Sequence, residues 1–344
     1  MISISHHDLL HTNASTTLKR AFGADGLGIL LITDLPSRSF VTEDRPRLLR
    51  LARAVAHMSD AEKASCSHPQ SNHAIGYSCG QESMTKGKAD EVKCSFYSNP
   101  EHDVVTTDPV LKEEYPAIYG VNLWPSSLPT LRDAVRAAGA HQIEIGLLVA
   151  NKLDALMSNE FGIHDSGFES LLCDVKTRKS RLLHYKQPTT TSQNLCGWHL
   201  DHGALTILMA PLYLNEDGDP SDTNDSGLFI KSRTGETVKV DLPENCVAVQ
   251  LGEVLQILSG GRLRATPHCV CATEMTSNLT REQFVVFMDC HHETPLSIPS
   301  NAMPDVLETL FLPPGVPSLN IRFRNGMSYA EFSKRTYQAY ATPN

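Results

Sequence analysis

Apolar residues recur at helical spacing over Thr16–Phe22 and over Leu48–Met58, where Ala and Leu share one face and arginines the other. Between them Gly26–Thr33 is a continuous apolar run after a turn, the pattern of a buried strand. From Cys66 to Asn99 the chain is rich in Gly, Ser, Lys and His and predicts long loops with short strands. Pro129 opens a helical stretch whose apolar positions run from Leu131 through Phe161, too long for one unbroken globular helix without a kink. Glu144 falls within it on what the spacing makes a solvated face.

After Gly167 the period changes from helical to short and alternating. Strands are expected at Ser180–Tyr185, through the apolar run that follows Gly203, at Cys246–Leu251, at Leu255–Leu258 and at Phe284–Met288. Gly227–Ser232 and Glu236–Val240 pair as a hairpin about Thr234-Gly235, and Ser259-Gly260-Gly261 is a turn. Gln187–Asn194 is a Pro/Thr/Ser loop, and Asn215–Ser226 an acidic solvated loop without the spacing of a calcium site. Ser328–Tyr340 predicts a helix packing back on the body. Evenly spaced short strands indicate an antiparallel barrel or jelly roll over roughly residues 180–289. The expected fold class is therefore mainly β with helical additions: a double-stranded β-helix (jelly-roll) core flanked by N-terminal and C-terminal helices. The division is 1–179, 180–290 and 291–344.

Composition narrows the function classes. A chain of 344 residues with 41% hydrophobic and 20% charged residues is an ordinary globular protein with a sizeable core. Its net charge of −9 argues against nucleic acid or an anionic membrane as partner. The nine cysteines are scattered, with Cys269-x-Cys271 too tight for a structural zinc half-site, so free thiols in a reducing compartment are expected. Residues 1–10 lack the basic and apolar regions of a signal peptide, which points to the cytoplasm.

Candidate chemistry concentrates in Gly197-Trp198-His199-Leu200-Asp201-His202-Gly203. On a strand, His199 and Asp201 would point the same way and offer one imidazole and one carboxylate to a metal. A second histidine would complete the two-His-one-carboxylate face that leaves coordination positions open on ferrous iron. Of the fifteen histidines, His268 is the favoured third ligand, because a strand returning across the mouth of a small barrel can bring it beside His199. His202 points away from Asp201, His184 precedes the metal stretch and can line the pocket, and His291-His292 reads as a surface turn. Alternation places Arg281, Gln283, Val285 and Phe287 on one face of a strand. An inward arginine there calls for an anionic partner, which its planar fork can hold through two hydrogen bonds.

In this order the residues resemble the non-haem Fe(II)- and 2-oxoglutarate-dependent dioxygenases, in the branch that includes isopenicillin N synthase. The resemblance rests on Gly26-Leu27-Gly28-Ile29-Leu30, Gly76-Tyr77 with Gly80-x-Glu82, Asn122-x-Trp124-Pro125, His199-x-Asp201, Leu251-Gly252-Glu253, His268 and Arg281. It implies Fe(II) held by His199, Asp201 and His268, with 2-oxoglutarate as co-substrate, O2 as oxidant and a small organic molecule as substrate. No catalytic residue beyond the metal ligands is implied. Arg281 would hold the distal carboxylate of 2-oxoglutarate and Tyr185 would assist. Relatives usually carry serine or threonine two residues after the arginine; here Gln283, bulkier but still an N–H donor, would reshape that slot. The rival readings are an oxidase of the isopenicillin N synthase type that does not use 2-oxoglutarate, a catalytically silent binding module, and a zinc hydrolase.

Overall fold

The computed structural model describes residues 1–81, 92–186, 194–221, 226–272 and 279–341. Glu82, most of the loop expected at 187–194 and residues 222–225 of the acidic loop lie outside them. The strands that position the site are β1 (Ser3–Ser5), β2 (Ile29–Thr33), β3 (Gly76–Cys79), β4 (Lys93–Ser98), β5 (Lys179–Tyr185) and β6 (Asn194–His199). They continue with β7 (Leu205–Met209), β8 (Leu212–Leu214), β9 (Ser226–Lys231), β10 (Thr237–Val240), β11 (Val247–Leu251), β12 (His268–Ala272) and β13 (Thr280–Met288).

Two sheets result. The larger runs β1-β2-β11-β7-β13-β5-β4-β3, with β8 also paired to β13; the smaller runs β10-β9-β12-β6. All pairs are antiparallel except β1 with β2. Alternation along each strand sorts its side chains between the two faces. Leu183, Tyr185, Leu208 and Val285 of the larger sheet meet Cys196, Leu228, Ile230 and Val270 of the smaller one in a buried cluster. This is the jelly-roll core that the strand spacing predicts. Four strands from the first hundred residues extend the larger sheet on both sides.

The opposite face of the larger sheet is covered by helices: α1 (Ser15–Phe22), α2 (Arg45–Ala56) and α3 (Leu131–Phe161). The break expected within residues 131–161 is absent, and α3 is one helix of 31 residues. It lies along the sheet, where Gln142 Nε2 donates to Ile207 O at 2.7 Å. A Cβ at Gly146 would come within 3.2 Å of Ile207 and Met288, so the glycine lets helix and sheet approach. Lateral burial of this kind stabilises a length that propensity alone would not. Glu144 is exposed, as its spacing implies.

Residues 253–258 differ from expectation. They form a helix, α4 (Glu253–Leu258), where a strand was expected at Leu255–Leu258. Glu253 through Ile257 are all buried, so the run carries no polar face by which periodicity could distinguish helix from strand. The C-terminal helix α5 (Tyr329–Ala341) forms where its pattern places it. The free-thiol expectation holds for seven cysteines but not for Cys79 and Cys94, which sit opposite each other on β3 and β4 and form a disulfide.

Candidate metal and co-substrate site

β6 and β12 are neighbours in the smaller sheet, and their register sets His268 directly opposite His199. The imidazole centroids are 4.2 Å apart. Asp201 does not lie on the strand as expected: β6 ends at His199 and the chain turns. The turn delivers the carboxylate between the two rings, with Oδ1 3.9 Å from His199 Nε2 and Oδ2 3.8 Å from His268 Nε2. One ligand atom from each residue lies within 4.8 Å of the others. The turn is held from below. Gly252 N donates to Ala204 O at 2.9 Å, and Glu253 N donates to Asp201 O at 2.9 Å. A Cβ at Gly252 would overlap the Gly203 carbonyl, so glycine is required for that contact.

Each of these three side chains has an orienting partner. His199 Nδ1 lies 2.8 Å from Gly197 O, which fixes a proton on Nδ1 and leaves Nε2 as a lone-pair donor. His268 Nδ1 lies 3.2 Å from Thr266 O, and the Gln250 amide sits 2.5 Å away on the same nitrogen. A half-turn of that amide would aim its oxygen, otherwise partnerless among the described residues, at the Nδ1 proton. Thr206 Oγ1 donates to Asp201 Oδ2 at 2.7 Å. Burial lowers the pKa of His199 and brings that of His268 to about 4. Burial opposes ionisation of Asp201, but His268, His199 and Thr206 outweigh it and hold the carboxyl below its usual range. Two neutral imidazoles and one carboxylate therefore face one point, a donor set suited to a divalent metal.

Arg281 is buried at the start of β13, opposite Tyr185 on β5, with its guanidinium 5.3 Å from the tyrosine ring. Its Nη2 donates to Gln283 Oε1 at 2.6 Å, and Gln283 Nε2 donates in turn to Met209 O. Arg281 Nε and Nη1 have no partner among the described residues. A buried guanidinium with two open donors is costly unless an anion joins it. Beside it a cavity of about 270 Å³ is lined by Leu208, Tyr213, Leu228, Lys239, Arg281 and Gln283. Burial pushes the Tyr185 hydroxyl up to about 12, so it remains a proton donor.

Residues 178–288 match the family model for the 2OG-Fe(II) oxygenase superfamily. This span contains His199, Asp201, His268 and Arg281. Residues 178–288 belong to the 2OG-Fe(II) oxygenase superfamily. The superfamily uses Fe(II), 2-oxoglutarate and O2. A validamycin A dioxygenase from Streptomyces hygroscopicus subsp. limoneus is 26% identical over 191 residues, 54% of this chain. That alignment spans about half of the relative, 47% of its length. The fold as a whole resembles a 2OG-Fe(II) oxygenase family protein of Caulobacter crescentus, with TM-score 0.72, 17% identity and 98% of each chain covered. It also resembles full-length T7H of Neurospora crassa, solved with alpha-KG and 5-formyluracil (TM-score 0.67, 18% identity, 99% of this chain and 96% of that one).

The other histidines weighed from the sequence lie apart from this cluster. His184 points to the helix-covered side of the sheet and pairs with the buried Glu282 at 2.9 Å. His202 turns away from Asp201, as expected, and its Nε2 lies 2.9 Å from Ser333 Oγ of α5. His291 is exposed, but His292, expected on the surface, is buried against Tyr119 at 2.6 Å. Sequence reasoning assigned no role to Thr206 or Gln250. Both alternate onto the inward face of strands already identified, the one signal that could have nominated them.

Proposed function

We propose that the protein is an Fe(II)- and 2-oxoglutarate-dependent dioxygenase that hydroxylates or otherwise oxidises a small organic substrate. The observation that carries this reading is the convergence of His199, Asp201 and His268 on one point, with the open donors of Arg281 in the same interior. Residues 180–290 would form the oxygenase core, on which residues 1–179 and 291–344 pack.

His199 and His268 would hold the metal through Nε2 and Asp201 through a carboxylate oxygen, on one face. Iron with 2-oxoglutarate and O2 supplies oxidising power that no side chain has. The chain provides aim and charge. Gly197 O, Thr266 O, Gln250 and Thr206 fix the ligands, so little reorganisation accompanies binding. Arg281, with Nε and Nη1 open, would hold the distal carboxylate of 2-oxoglutarate, and the protonated Tyr185 hydroxyl would assist. Gln283 would occupy the place of a smaller hydroxyl and share the guanidinium with the co-substrate. T7H, which was crystallised with alpha-KG and with thymine, supports a small-molecule substrate. Among the described residues no helix is long and apolar enough to cross a membrane. A cytoplasmic setting without nucleic-acid partners completes the proposal.

One observation favours a second reading. The Arg281–Gln283 hydrogen bond occupies part of the guanidinium fork. An oxidase of the isopenicillin N synthase type, with Arg281 holding the substrate's own carboxylate, would tolerate that better. Adding Fe(II) and 2-oxoglutarate to the metal-free protein without oxygen separates the two. A weak visible charge-transfer band that is lost in His199→Ala supports the dioxygenase. Fe(II) binding without a band supports the oxidase, and absence of Fe(II) binding overturns both.

A further inference from the structure

Pairing register draws one row across the inner face of the larger sheet, level with the metal-facing residues. Gln250 of β11 pairs with Thr206 of β7, Thr206 with Phe287 of β13, and Phe287 with Lys179 of β5. The first two orient the metal-facing side chains: Gln250 sits against His268 Nδ1, and Thr206 donates to Asp201 Oδ2. The last two have no part in the metal and co-substrate reading. Phe287 packs against the apolar cluster between the sheets. Lys179 shares its face of β5 with Leu183 and Tyr185, both members of that cluster. Gln250 and Thr206 are buried, whereas Phe287 and Lys179 are half-buried, as are His199 and Asp201. The row therefore opens toward solvent on its β13–β5 side.

Strand spacing puts these two side chains within reach of a molecule held beside His199 and Asp201. Neighbouring strands lie about 4.8 Å apart, so Phe287 stands one spacing from Thr206 and Lys179 two, roughly 10 Å at the backbone. Among the described residues the Lys179 ammonium has no hydrogen-bond or ion-pair partner. The charged groups that act on it are Asp289 and Arg181. Arg181 is held by Ser95, to whose Oγ it donates at 3.0 and 2.8 Å. Asp289 lies against the turn that carries Asp201, where a Cβ at Gly203 would overlap its carboxylate, and it accepts from the Tyr329 hydroxyl. It attracts Lys179 without closing an ion pair. Burial lowers the pKa of the lysine, the cost of an ammonium that has left water without gaining a direct partner. An anion brought beside it would offset that cost.

We propose that Lys179 sets substrate specificity: the substrate is an organic acid whose apolar body lies over Phe287 and whose carboxylate pairs with the Lys179 ammonium. The location of the reacting carbon beside His199, Asp201 and His268 rests on the oxygenase reading, but the pairing with Lys179 does not require a metal. Lysine presents a point charge on a flexible stem rather than a planar fork, so charge and reach select the ligand.

The test compares phenylacetate with phenylacetamide, alike in shape and different in charge, by calorimetry on the Fe(II)-loaded protein without oxygen. Saturating 2-oxoglutarate keeps Arg281 occupied. Phenylacetate is expected to bind at least about tenfold more tightly than the amide, the scale of one hydrogen bond to a charged group. Lys179→Met, which keeps the stem and removes the charge, should abolish the preference while retaining the charge-transfer band, and Lys179→Arg should restore it. Equal affinities in wild type, no binding of either probe, or a preference that survives in Lys179→Met overturns the proposal. If wild type shows no band, the oxygenase reading has failed on its own. The two probes are then compared on metal-free Arg281→Gln with and without Lys179→Met. A preference that is lost with Lys179 supports the pairing independently, and any other result overturns it.

Discussion

Arg281 Nη2 donates to Gln283 Oε1 at 2.6 Å, two residues along the same strand. The proposed co-substrate must therefore share its guanidinium with a neutral amide of the chain. Replacing Gln283 with serine would release that donor and widen the slot. Gln283→Ser is expected to lower the apparent Kd for 2-oxoglutarate by about tenfold, the scale of one hydrogen bond to a charged group. Arg281→Gln should raise it by about thirtyfold or more, on the order of 2–5 kcal/mol. Anaerobic titration of Fe(II)-loaded protein with 2-oxoglutarate reads both; equal affinities in wild type and Arg281→Gln would contradict the assignment.

The turn that carries Asp201 is tied to a buried ion pair. Arg322 Nη1 and Nη2 donate to Glu253 Oε2 and Oε1 at 2.8 and 2.5 Å, both residues being 1% exposed. Glu253 N in turn holds Asp201 O. Removing one partner leaves the other charge buried. Arg322→Met is expected to cost about 3–5 kcal/mol, measured as a lower denaturation midpoint. Fe(II) affinity should fall with it. A change under about 1 kcal/mol would show the pair to be energetically idle.

Burial brings His202 and His268 to about 4 in the folded chain, below the ordinary histidine value. Between the two values the unfolded chain binds more protons than the folded one. Stability of the metal-free protein is therefore full above pH 6.5 and falls as pH drops toward 4. Each histidine contributes about 1.4 kcal/mol per pH unit in that window. Urea midpoints at pH 7 and pH 5 should show the loss, and His202→Gln should show less of it. A midpoint unchanged by pH would contradict the burial argument.

Cys79 and Cys94 close a loop with a sequence separation of 15. In the chain-entropy picture such a crosslink contributes about 3 kcal/mol by restricting the unfolded state. Thiol titration of the unfolded, unreduced protein is expected to give seven free thiols, rising to nine after reduction. Cys94→Ser should lower stability by that amount. Nine thiols before reduction would overturn the pairing.

Much of this was legible before the structure. Strand alternation identified β5, β9, β10 and β13, and turn chemistry at Thr234-Gly235 and Ser259-Gly260-Gly261 punctuated them. His268 was reachable because jelly-roll topology returns a strand across the mouth, and the register with His199 delivers it there. Other features were not local. Asp201 reaches the site through a turn rather than by strand alternation. Glu253–Leu258 hid its helix because nearly every side chain in it is buried. Nor could spacing reveal that Cys79 faces Cys94, which depends on the β3–β4 register.

The central claim is that His199, Asp201 and His268 form one metal site. Fe(II) bound per chain, measured by anaerobic equilibrium dialysis, tests it most directly. Wild type is predicted to bind one Fe(II), and His199→Ala, Asp201→Ala and His268→Ala each to lose it while keeping the wild-type circular dichroism spectrum. Retention of stoichiometric Fe(II) by the folded His199→Ala/His268→Ala double variant would contradict the account.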